Sequence, residues 1–453
     1  MTVLHGWRAG LCVGLLWGAT GLISAHAQTA APQVWGYKVK PGDRLVDIAK
    51  IYQKSPEDWK RLQQNNAVPE PKLLAPGKQI NIPVGDLRQG NPVAQAVLVH
   101  GEVTRLDASG QPRDKLSSGD VIKMGEGVQT GARSTLTLRF ADDSRMLVTE
   151  KSKISLSSLV NYGKTGMADT KIQVLEGGTD SKVSPQKGPV ARYEINTPAV
   201  NLTVRGTGFR VQVDSASGST RTEVEEGLVA GASGASEALI GHGFGIIAEP
   251  GKPLGQPTKL LAPPQLVASA PNPQRMPVRF EWQALEGARH YRLQLLATVQ
   301  GFDAIVADEL LHTTQVQWDD LPDGDYVLRL RGVDAQGLEG ANASQRFTLS
   351  ARPLPPVLSF PAHQALSTTE KIFFRWDAAP EAQEYLFQLA EDAAFTRVIA
   401  LIPQIASQTR GVLLAVPAGR YFWRAASVSR SGKVGPYSDA FAFTQQAADG
   451  DGK

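Results

Sequence analysis

Apolar positions recur at three different spacings along the chain. Residues 9–23 are almost continuously apolar behind Arg8, and Ala25-His26-Ala27 follows with the small-x-small pattern of a cleavage site. A membrane span needs roughly 20 apolar residues, so residues 1–27 read as an export signal cut after Ala27. From about 35 to 84 the spacing is mixed. Tyr37 to Lys40 alternates like a strand, Pro41-Gly42 turns, and Asp43 is placed to cap a helix carrying Leu45, Ile48, Ala49 and Tyr52 on one side. Ser55 and Pro56 suit a second helix start, with Trp59 and Leu62 on one face. Pro76-Gly77 then precedes a strand over 79–82, which completes a β-α-α-β unit.

Residues 92–248 switch to period-two alternation. Leu136, Leu138 and Phe140 alternate, as do Met146 and Val148, then Val200, Leu202 and Val204, then Phe209, Val211 and Val213. Turns are expected at Gly119-Asp120, Gly177-Gly178 and Glu226-Gly227. This is an all-β module, a sandwich or a stacked β-roll. Residues 249–270 are rich in proline and read as a stiff, extended linker.

The last two modules, 271–350 and 355–446, are an internal repeat, joined by a shorter proline-rich stretch at 351–357. The segment 280–295 (FEWQALEGARHYRLQL) aligns with 374–389 (FRWDAAPEAQEYLFQL), pairing Trp282 with Trp376 and Tyr291 with Tyr385. Tyr326 then pairs with Tyr421. Repeats of domain length mean tandem domains, not a solenoid. A tryptophan on an early strand and a tyrosine on a late one suit two β-sandwiches with tyrosine corners. Residues 447–453 read as a frayed tail. Where Arg331-Gly-Val-Asp in the first copy meets Ala426-Ser-Val-Ser in the second, the divergence reads as free surface around a fixed core.

Composition narrows the function. Lys+Arg 47 against Asp+Glu 44 leaves a net charge of +3, too balanced for a dedicated nucleic-acid binder. The single cysteine, Cys12, lies in the export signal, so the exported chain is expected to hold no disulfide and no thiol site. His100, His242, His290, His312 and His363 are scattered without metal-ligand spacing, so no metal site or cofactor is expected. Two glycine-rich segments, Arg205-Gly-Thr-Gly-Phe209 and Gly241-His-Gly-Phe-Gly245, open no helix and read as turns. Glu225-Glu226 and Asp319-Asp320 are adjacent pairs whose side chains diverge, and no Gly-x-Ser-x-Gly elbow occurs. No catalytic residues are expected. One of Phe422 and Trp423 must be core by alternation.

Three resemblances follow from these residues. The run 37–45 (YKVKPGDRL), Ile48-Ala49, Asn65-Asn66 and 74–83 (LAPGKQINIP) resemble a LysM domain. That resemblance implies binding of peptidoglycan or another N-acetylglucosamine-containing glycan. Its groove walls would be Gly42, Asp43, Arg44 and Leu45 on one side and Asn66, Ala67 and Val68 on the other. Arg44 stands where threonine is usual, and Val46 where an aromatic is frequent. The segments 99–103, 116–120, 128–130, 134–144, 196–199, 204–209 and 224–229 together resemble the FecR domain, which implies periplasmic sensing or protein docking. The repeated modules resemble fibronectin type III or related immunoglobulin-like domains. Together they imply a non-enzymatic, cell-wall-binding protein of the periplasm with peptidoglycan and an unidentified envelope protein as partners. A component of envelope signalling is the alternative, and a cell-wall hydrolase the remote one.

Overall fold

The computed structural model describes residues 33–267, 273–299, 302–406 and 411–447. The expected export signal at 1–27, most of the tail and part of the linker lie outside the described residues.

In the first module β1 (Val34–Lys38) pairs antiparallel with β2 (Gln79–Pro83), with Tyr37 opposite Ile80. Between them run α1 (Leu45–Tyr52) and α2 (Trp59–Asn65). Leu45, Ile48 and Ala49 are buried on one face of α1 and meet Leu62, Ile80 and Ile82. The caps differ from expectation. Arg44, not Asp43, is the N-cap of α1, and it makes no side-chain cap bond. Asp43 instead closes the Pro41-Gly42 turn, accepting from the Lys40 amide at 2.7 Å and the Tyr37 hydroxyl at 2.6 Å. Ser55 precedes a single 3-10 turn, Pro56–Asp58, before α2 begins.

The second module is two sheets facing one another across a common core that includes Leu136, Ile172, Phe209 and Val224. The strand Ala168–Lys182 belongs to both sheets. Its first part pairs with Lys153–Asn161, its second with Gly208–Val213. Gly177-Gly178, expected to be a turn between strands, lies inside this strand where it passes from one sheet to the other. Gly177 has φ +78, and an added Cβ would meet the Ser152 Cα at 2.4 Å and the Lys151 carbonyl at 2.6 Å. Only glycine allows both the left-handed kink and the close approach. The glycine-rich segments at 205–209 and 241–245 are turns, with Gly206 and Gly243 at positive φ.

The third and fourth modules are sandwiches. In the third, Val278–Glu281 pairs with Gln315–Trp318, opposite a four-stranded sheet ordered Phe302–Leu311, His290–Val299, Gly324–Val333, Ala343–Leu349. The repeat is kept in three dimensions. Trp282 packs edge-on against Tyr291 at 5.5 Å, and Trp376 against Tyr385 at 5.4 Å. Both late tyrosines make the corner bond back to the main chain: Tyr326 to Pro322 O at 2.7 Å, Tyr421 to Pro417 O at 3.0 Å. Trp423 is buried, so its neighbour Phe422 is the outward one of that pair.

The proline-rich segment at 249–270 does not run free between modules. Thr258–Lys259 adds to the second module's Phe244–Ala248 strand, and Leu260 is buried. Leu266 bridges to Trp282, and the Val267 amide bonds Glu281 O at 2.8 Å. Its apolar residues and main-chain donors find partners on both sides, so ordering it satisfies backbone groups that a free spacer would leave to water.

Candidate functional site

Two places bring chemistry together: the helix-start loop of the first module and the junction between the second and third.

In the first module the two expected groove loops touch. The Leu45 amide at the start of α1 donates to Pro71 O at 2.9 Å. Gly42 and Arg44 are exposed, and Gly42 has φ +87 with open space around it. Arg44 is held by Asp47 at 2.6 Å across one turn of α1. Leu45, placed in the groove wall by the resemblance, has no exposed surface and belongs to the core, because it opens the apolar stripe of α1. Val68 is likewise buried. Asn66 is a clamp: its side-chain amide donates to Leu62 O and Asn81 O at 2.9 Å each, and its oxygen accepts from the Asn81 amide at 2.7 Å. It ties the end of α2 to β2 and leaves the exposed Ala67 at φ +46 on the rim. The sequence reading missed Leu73, 80% exposed, two residues beyond the Pro71 that touches Leu45. Val46, 41% exposed, stands next to the same contact. An apolar residue in a polar, proline-bounded loop was the available signal for Leu73.

Behind this loop, Trp35, Tyr37 and Tyr52 form an aromatic cluster with ring centres 5.0 to 5.9 Å apart. Burial and the bond to Asp43 push the Tyr37 phenol well above its ordinary pKa, so it remains a donor that fixes the turn. The cluster's core continues into the second module through Tyr162, Met167 and Ala191. Gly90 and Asn161 exchange two main-chain hydrogen bonds at 3.0 and 3.1 Å. The first module is thus seated on the second.

At the junction, Arg210 of the strand Gly208–Val213 donates to Glu339 O and Gly340 O of the third module, each at 2.9 Å, and pairs with Glu225. Glu223 accepts from the Glu339 amide at 3.2 Å. The Glu339 carboxylate is in turn held by Arg331 and by Arg292 at 3.2 Å, and Arg292 reaches Asp308 at 3.1 Å. Arg331 also donates to Gln294 and Asn342 at 3.1 Å each. An apolar contact of Leu147 with Leu296, Ile305 and Val327 flanks the network. Burial pushes the Glu223 carboxyl up to about 7, opposed by Arg210 and assisted by Glu339. Burial acts the same way on Glu339, but Arg331, Arg210 and Arg292 outweigh it and hold that carboxyl well below its ordinary range. A polar cavity of about 270 Å³ opens beside these groups, lined from both modules by residues including Thr179, Arg210, Arg221, Arg292 and Asp308. The expectation that Arg331 lies on free surface is therefore corrected: it is 3% exposed, and the repeat diverges there because only the first copy docks on the second module.

With this geometry in view, residues 37–83 match the model of the LysM domain. Residues 126–230 match the model of the FecR protein. The chain is 27% identical over 181 residues to an uncharacterised protein of Treponema pallidum, an alignment covering 37% of this chain and 27% of that protein. It thus spans about a quarter of that relative's length. A "putative anti-sigma factor" of Parabacteroides distasonis aligns over 29% of this chain and 59% of its own, at 12% identity and a TM-score of 0.25. A two-domain fibronectin type III segment of chicken tenascin aligns over 40% of this chain and 99% of its own, at 14% identity and a TM-score of 0.24. The order along the chain is a LysM match, a FecR match and two β-sandwiches.

Proposed function

We propose that this chain is a non-enzymatic, exported cell-wall-binding protein whose LysM domain holds the other three modules on peptidoglycan in the periplasm. The observation that carries this reading is the LysM match over residues 37–83, on a module whose two loops meet at the Leu45–Pro71 bond with Gly42, Arg44, Val46, Ala67 and Leu73 open to solvent. Main-chain groups at a helix start suit an acetamide oxygen, and small apolar side chains beside them suit its methyl. The test is co-sedimentation of the purified chain with insoluble peptidoglycan. Val46→Asp and Leu73→Asp place a charge on the exposed rim and should lower the bound fraction without unfolding the module. Leu45→Asp cannot serve, because it would bury a charge in the core. Equal sedimentation of the chain with and without residues 35–84 would overturn the reading.

A second reading, a part in envelope signalling, is favoured by the junction. The FecR domain shares a buried ionic network and a cavity with the first sandwich, which supports a reading in which the two modules respond together. Proximity cross-linking in intact envelopes, with Arg210→Ala as the uncoupled control, would identify the protein that senses that response.

A further inference from the structure

Beyond the expected export signal five histidines are spread along the sequence with no ligand spacing, yet two of them meet in the fold. The strands His290–Val299 and Phe302–Leu311 pair antiparallel with Tyr291 opposite Leu311, so the next position outward sets His290 against His312. Side chains directly opposite on neighbouring strands lie on one face and within reach of one another. Here the two Nδ1 atoms are 3.1 Å apart, the ring centres 4.4 Å apart, and the ring planes cross at 80°. We propose that His290 and His312 form a two-nitrogen chelating site for a divalent late transition cation, with copper preferred over zinc and nickel.

The geometry fits the ion. Imidazole nitrogens bind such metals at about 2.0–2.1 Å, so two of them on one ion lie roughly 2.9 Å apart at a right angle and roughly 3.4 Å apart at a tetrahedral one. The observed 3.1 Å falls between these values. A cation between the rings replaces a ring–ring hydrogen bond in which one nitrogen must carry a proton and the other a lone pair. His312 is exposed and His290 half-buried at the sandwich rim, so an ion reaches both without opening the core. Among the described residues no group of three or more His, Cys, Asp or Glu is poised around an ion, so water or an outside donor fills the remaining positions. That makes the site an exchangeable one, unlike the closed four-ligand sites that hold a fold together. For fixed nitrogen donors, affinity rises to copper along the divalent series. The repeat supplies an internal comparison: in the fourth module Glu384 stands opposite Ala406, and no chelate can form.

The test is titration of the full chain, without an affinity tag, with Cu²⁺, Ni²⁺ and Zn²⁺ by calorimetry, and electron paramagnetic resonance of the copper form. One equivalent of Cu²⁺ should bind with the superhyperfine pattern of two nitrogens. His290→Ala and His312→Gln should each lose that signal, while His363→Ala keeps it. Circular dichroism of the metal-free variants should match the parent chain. Should a variant unfold, the double replacement Glu384→His with Ala406→His, which leaves the third module intact, should add a second equivalent. Uptake that is unsaturable, or unchanged in both His290→Ala and His312→Gln, would show an adventitious ion only and overturn the proposal.

Discussion

Arg210 donates out of the second module to the main-chain oxygen of Glu339 in the third, 2.9 Å away and 129 residues further along the chain. The bond holds two modules that the sequence separates by a proline-rich segment. Removing it leaves Glu223 and Glu225 without their buried cation. Breaking a buried pair from one side costs about 3–5 kcal/mol. Arg210→Ala should therefore lower the thermal stability of both modules together. Fluorescence of Trp282 in the third module should report a transition shifted with that of the second. A third-module transition left where it was would show that the network does not couple them.

The same junction should respond to pH. Glu223 is pushed up to about 7 by burial, so the folded state holds its proton where the unfolded chain, at the ordinary value of 4.5, has released it. Its contribution is fully present below that ordinary value and is lost as pH rises through about 7, a change on the order of 3 kcal/mol. Glu339 runs the opposite way, contributing at neutral pH and losing that contribution only in strong acid. The melting temperature of the chain should fall between pH 5 and pH 8, and Glu223→Gln should flatten that slope. An unchanged slope in the variant would assign it to another group.

The two repeat tryptophans should behave differently despite matching positions. Each loses its core contacts on truncation, at about 3–5 kcal/mol. Trp376→Ala should unfold the fourth module by itself. Trp282→Ala should also weaken the second module, because only a folded third module presents the Glu339 and Gly340 carbonyls to Arg210 and holds the Glu339 side chain with Arg292 and Arg331. Differential scanning calorimetry of both variants measures the contrast.

Gly177→Ala should be among the most damaging single changes in the second module. It combines a left-handed backbone with a Cβ driven onto the Ser152 and Lys151 main chain. The backbone alone accounts for ~1–3 kcal/mol, and the clash should take the loss beyond that, read by chemical denaturation. Gly234→Ala is the control: its φ is also positive at +58, but nothing lies within 4 Å.

In the first module Asn66→Ala should cost about 1–3 kcal/mol by leaving the Asn81 amide and carbonyl unmatched, while Leu62 O keeps the main-chain amide of residue 66. Glycan binding should fall only as far as unfolding does, and stabilising the variant with osmolyte should restore it. Loss of binding in a fully folded variant would make Asn66 a direct ligand contact instead.

Much of the architecture was legible in the sequence because strand and helix periods are local. Alternation at Leu136, Leu138 and Phe140 shows which side of a strand is apolar, whatever it later packs against. The matched pairs Trp282–Tyr291 and Trp376–Tyr385 announced two equal sandwiches, since a core fixed by packing must repeat its large residues. The first module's order of turn, helix and strand was readable for the same reason. What a face meets was not. The period places Arg331 on the sheet surface, but only docking of the second module turns that surface into an interior. Leu45 reads equally well as groove wall or core until α1 is packed. Asp43 has the chemistry of a cap, and its neighbour took the position because the turn claimed its carboxylate first. His290 and His312 are 22 residues apart and become neighbours only through strand register. These are long-range contacts, set by which surfaces exclude water from one another, and no local pattern of residues encodes them.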